Sequence, residues 1–168
     1  MTGVTEVHEE KETLSVDINI PGHDPRTTTA RFTRTRKQLI QSDAGMCYVC
    51  QRIEEECGPL QAHHFPIERS LAGMIDWERV KRDALAGELG ATQRQRDAAK
   101  AFDWSSFDPA DPYSFVDNML VNGLLLCKQH HIGKDEGVHA MPHPLWIAQR
   151  YAREGYQFSG IEVIHHDQ

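Results

Sequence analysis

No stretch of this sequence approaches the roughly 20 consecutive apolar residues that a membrane-spanning helix needs. Met1 to Lys11 is polar and acidic with no apolar core, which argues against a secretory leader and leads us to expect a cytoplasmic protein with no membrane partner. Cysteine is scarce, with only four in 168 residues, too few for a small disulfide-built scaffold. There is no internal repeat and no His-Glu-x-x-His helix, so the common zinc-hydrolase pattern is excluded. Positive charge is in deficit: the formal net charge is −7, so the chain as a whole should not attract polyanions from a distance. What is present, 39% apolar and 26% charged residues, suits one soluble globular domain over residues 1–168.

Part of the positive charge is clustered. Five basic residues and no acid occur between Pro25 and Gln41: Arg26, Arg31, Arg34, Arg36 and Lys37. Acids gather elsewhere, at Glu54 to Glu56 and Asp103 to Asp117. A local basic face can hold phosphates on an acidic protein, although a solvated helix face reads the same way.

Along the chain, residues 1–12 should be frayed. Leu14, Val16, Ile18 and Ile20 alternate with polar residues, which predicts a short strand ended by Pro21-Gly22. Phe32 to Ser42 has helical spacing, with Phe32, Leu39 and Ile40 inward and the arginines outward. Leu60 to Phe65 reads as a strand carrying two adjacent histidines, whose side chains should face opposite ways. Residues 66–116 form an insert with helical patterns at Ile75 to Leu89 and Thr92 to Phe102, then a loop rich in Asp, Ser and Pro. Trp77 and Trp104 are expected to pack these helices on the core. A strand from Gly123 to Leu126 enters a short helix or turn, Val138 to Met141 reads as a short strand, Pro142 to Glu154 as a helix, and Ile161 to Ile164 as a final strand.

Cysteine and histidine spacing carries the chemistry. Cys47-Tyr-Val-Cys50 and Cys127-Lys-Gln-His130 are two pairs of the kind that hold one tetrahedral zinc from tight turns. A redox role for Cys47 and Cys50 would want a βαβ context that is absent here. Four ligands from two distant segments make a closed, structural site. Cys57 is left over, best read as a small buried hydrophobe.

The remaining residues resemble the His-Asn-His (HNH) endonuclease family. The resemblance rests on Leu60-Gln-Ala-His63-His64-Phe-Pro, on Asn122-Gly-Leu-Leu-Leu-Cys127 and on His131 with Asp135 four residues on, within about Arg34 to His139. It implies an α+β fold with a ββα-metal (His-Me finger) core, a structural zinc site, an N-terminal strand and helix, and the 66–116 helical insert. It implies a metal-dependent DNA endonuclease. His64 would be the general base and Asn122 would orient its ring through the amide oxygen. His63 and His131 would bind the catalytic ion, Mg2+, Mn2+ or Ni2+, with Asp135 and His139 as further candidate ligands. Asn118 rivals Asn122, at a poorer distance from Cys127. The second knuckle ends in His130 where many relatives have Cys, and spacing assigns His130 to zinc and His131 to catalysis. The basic run adds Arg31, Arg34 and Lys37, three apart on one helix face, as DNA contacts. The other reading is a catalytically inactive, zinc-stabilised nucleic-acid-binding module.

Overall fold

A computed structural model of the chain describes residues 28–42, 45–134 and 136–140. The strands expected at 14–20 and 161–164, the helix at 142–154 and Asp135 lie outside those residues. The described residues form a mixed α+β fold with one two-stranded antiparallel sheet. No described helix is long and apolar enough to cross a membrane.

The first helix, α1 (Ala30–Ser42), begins where Thr29 Oγ1 accepts a hydrogen bond from Phe32 N at 3.0 Å, satisfying one of the free N–H groups of the first turn. It buries Thr35 and Leu39 and leaves Arg31, Arg34 and Lys37 exposed. After it the chain turns through Cys47 to Cys50. Cys47 N donates to Arg52 O (2.9 Å), Gln51 N to Cys47 O (2.9 Å), and Met46 bridges Ile53. This tight reversal brings two thiols to one side. A short helix, α2 (Glu54–Cys57), leads into strand β1 (Leu60–His64).

β1 pairs with β2 (Gly123–Cys127) in a register that sets His63 opposite Leu124 and His64 opposite Gly123. All five residues of β2 are buried. One edge of β2 hydrogen-bonds β1, and its Leu125 carbonyl accepts from Tyr48 N of the first knuckle at 2.7 Å. Helix α7 (Lys128–Ile132) follows β2 at once and carries His130 and His131. Gly123 admits no side chain, since a Cβ there would lie 2.5 Å from Met119 O.

The insert between the strands has its own core. Helices α3 (Trp77–Ala86) and α4 (Gln93–Lys100) are capped by Asp76 and by the Thr92/Gln95 capping box. They agree with the spacing-based expectation, trimmed by one to three residues at each end. Trp77 and Trp104 are buried among Phe102, Phe107 and Phe115, and each indole N–H donates to a backbone carbonyl, of Ala72 and Ala99 respectively. Short helices α5 (Tyr113–Val116) and α6 (Met119–Asn122) return the chain to β2. Met119 belongs to the core under the sheet and Val121 to the aromatic core of the insert, so α6 joins the two. Residues 138–140 are turn rather than the expected strand, because Val138 N and Ala140 N bond locally, to His130 O and Gly137 O.

Candidate active site and metal centres

Two groups of side chains able to hold a metal ion occur among the described residues. The first is Cys47, Cys50, Cys127 and His130, whose ligand atoms all lie within 4.8 Å of one another. His130 Nδ1 is 3.1 Å from Cys127 Sγ and 3.7 Å from Cys47 Sγ. A zinc with sulfurs about 2.3 Å away holds its ligands roughly 3.5–4 Å apart, so this set needs little adjustment. The electrostatics also fit. Burial raises the Cys47 thiol, but a hydrogen bond from His130 and backbone N–H groups outweigh it and bring Cys47 down to about 6. Burial and then repulsion from Cys47 push Cys127 up to about 11, and burial raises Cys50 as well. One thiolate forms readily and opposes the next two, an opposition that a divalent cation removes. Cys57 stands outside the set. It packs on the core at the end of α2 but is only half-buried, less than expected of a small buried hydrophobe, with its Sγ 3.2 Å from Ile53 O.

The second group is His63, His131 and His139, again within 4.8 Å of one another. Burial, then repulsion from the neighbouring histidines, lowers His63 to about 3 and His131 to about 4. Both rings are therefore neutral near pH 7, the form in which imidazole ligates a metal. His131 Nδ1 lies 2.7 Å from Gln61 Oε1, so it carries the proton and leaves Nε2 for a cation. Gln61 escaped sequence reading, although it sits two residues before His63 on the same strand face. Glu68 also escaped it. Its Oε1 is 3.4 Å from His63 Nε2, and since His63 is neutral this is a polar contact rather than an ion pair, one a shared cation would strengthen. His139 is exposed at the rim.

His63, His64, His131 and His139 open on one cavity of about 250 Å³, together with Phe32, Glu68, Arg69 and Asp117. The two neighbouring histidines line the same cavity, so the expected separation to opposite faces is not complete, although His63 contacts Glu68 and His64 contacts Asp117. His64 stacks on Phe32, with centroids 5.6 Å apart at 26°.

Asn122 does not orient His64. Its Oδ1 accepts from Ile67 N (3.0 Å), and its Nδ2 donates to Ile67 O (2.8 Å) and Val116 O (3.0 Å), all buried. The sequence expectation is corrected here: the amide is consumed by backbone, because the insert returns Ile67 and Val116 to its side. Asn118 is not the substitute, for its Oδ1 accepts from Leu120 N at the start of α6. Asn122 instead holds the chain just beyond His64. Gln95, fully buried, helps from the other side by donating Nε2 to Phe65 O at 2.8 Å. The group that does face His64 is Asp117, an acid with no motif or spacing signal in the sequence.

No family model, curated protein or solved structure matches the chain.

Proposed function

We propose that the protein is a metal-dependent DNA endonuclease of the His-Asn-His type, with β1, β2 and α7 as a ββα-metal core. The observation that carries this reading is the single cavity in which a three-histidine ligand group and a separate histidine, His64, meet. A structural site alone has no use for that second group. The Cys47, Cys50, Cys127 and His130 set would hold zinc and tie the first knuckle to the end of β2.

In this reading His63, His131 and His139 hold a divalent cation, with Glu68 in reach. When bound, the cation supplies charge stabilisation at the scissile phosphate and at the leaving oxygen. His64 accepts a proton from water, whose oxygen attacks phosphorus as the bond to the leaving oxygen breaks. DNA would arrive along α1: Thr28 and Phe32 line the cavity, and Arg31, Arg34 and Lys37 are exposed on the same helix as Phe32.

The test is cleavage of a supercoiled plasmid in Mg2+, Mn2+ or Ni2+. Wild type should cut and His64→Ala should lose about 10²- to 10⁴-fold, with zinc content and DNA binding retained. Equal rates for the two proteins would reject His64 as the base. DNA binding by a wild type that cuts with none of the ions would leave the inactive binding module as the better reading.

A further inference from the structure

Asp117 is 1% exposed, yet three elements converge on its carboxylate. Oδ2 accepts from Thr29 Oγ1 at the start of α1 (3.0 Å), and Oδ1 accepts from Arg69 Nε (3.2 Å). The backbone carbonyl of Asp117 accepts from Thr35 Oγ1 (3.1 Å), which fixes the residue to α1 a second time. The same Oδ1 lies 3.6 Å from His64 Nε2. That nitrogen is fully buried and has no hydrogen-bond partner, alone in this among the side-chain nitrogens and oxygens of the described residues. At 3.6 Å the contact is longer than a hydrogen bond. Catalytic contacts are commonly long before substrate arrives and tighten when it binds.

We propose that Asp117 is the positioning residue for His64, the part that sequence reasoning gave to Asn122. The inference rests on the endonuclease reading of the cavity. His64 Nε2–H donates to Asp117 Oδ1, the ring lies flat on Phe32, and the Nδ1 lone pair is left for the cavity, since Nε2 is buried. In the reaction, a water proton passes to His64 Nδ1 while the water oxygen bonds to phosphorus. The phosphorus–oxygen bond on the far side breaks, and the displaced alkoxide takes its proton from solvent. The imidazolium so formed faces a carboxylate that stays ionised. Burial alone would raise Asp117, but the contacts of His64 and Thr29 and the charge of Arg69 outweigh it and hold the carboxyl below its usual range. Arg69, whose guanidinium sits 4.4 Å over the Tyr113 ring, keeps the carboxylate turned toward the cavity.

The experiment uses the full, zinc-loaded chain in two arms. Nitrogen-15 NMR of histidine-labelled protein, with His64→Gln to assign the signal, reads the His64 tautomer without any need for turnover. Nε2–H is expected in wild type, with loss of that preference in Asp117→Ala. Steady-state plasmid cleavage is the second arm. Asp117→Asn, which keeps the shape and an acceptor for Arg69, should lower kcat about 10- to 100-fold, by analogy with removing the partner that orients a metal-ligating imidazole, while KM and zinc content stay at wild-type values. An Nδ1–H tautomer in wild type overturns the inference whether or not the protein cuts DNA. A wild-type kcat for Asp117→Asn also overturns it. If Asp117→Ala does not fold, the wild-type tautomer and the Asp117→Asn kinetics still decide. Should wild type fail to cut while the tautomer responds to Asp117 as expected, the endonuclease reading falls and the orientation of His64 by Asp117 stands.

Discussion

Replacing Asn122 by Ala should destabilise the protein strongly, and the size follows from its three buried hydrogen bonds. Ile67 N–H would be left inside the protein without an acceptor, a loss of about 1–3 kcal/mol. The carbonyls of Ile67 and Val116 would each lose a donor, and the completely buried site would keep a small void in place of the amide. The sum is about 3–5 kcal/mol, a large share of the roughly 5–15 kcal/mol by which domains are stable. For a chain of this size each kcal/mol lowers Tm by about 2–4 °C, so a drop of about 6–20 °C is expected. The assay is thermal unfolding followed by near-UV circular dichroism at fixed zinc, with Gln38→Ala on the exposed face of α1 as a control that should shift by no more than about 0.5 kcal/mol. Asn122→Asp should do no better, because it turns an acceptor toward two carbonyls. Well below its Tm, the folded Asn122→Ala protein should retain His64 orientation. A Tm within about 2 °C of wild type would refute the reasoning, since three buried bonds cannot then be contributing.

The purified protein should carry about one tightly held zinc per chain, released by chelators only with loss of structure; Cys47→Ser should yield insoluble or molten protein, and a zinc-free Cys47→Ser that melts like wild type would remove the structural site. Replacing Arg31, Arg34 and Lys37 together by Ala should weaken DNA binding and flatten the slope of log affinity against log salt by about 2–3 units. Tm should hardly move, because the three side chains are exposed and such charges add little to stability. A wild-type salt slope in a fluorescence-anisotropy titration would return that face to plain solvation.

The Cys47, Cys50, Cys127 and His130 set, which could hold a metal, was legible in the chain because ligand spacing is a local property, whereas His63 and His131 were expected only from the family resemblance. Cys47 with Cys50, and Cys127 with His130, are each held by a single turn, so two residues of separation already bring the atoms to one side. The same holds for α1, α3 and α4, where apolar spacing and caps decide the helix before any partner is present. His63 and His64 could be told apart because a strand alternates its faces. The partners of the buried polar groups could not be read, since a side-chain amide or carboxylate binds whatever the fold brings within 3 Å. Asn122 looked like a partner for His64 by resemblance to the family, but the insert returns Ile67 and Val116 to it, and their backbone groups take its amide. Asp117 had no periodic or motif signal at all. Its place behind His64 depends on α1, the turn at Arg69 and α5 meeting at one point, residues 29, 69 and 117 in the chain. Local spacing therefore determined the Cys and His pairs of the first set, and only the tertiary structure gathered His63, His131 and His139 and decided that Asp117 is the buried group facing His64.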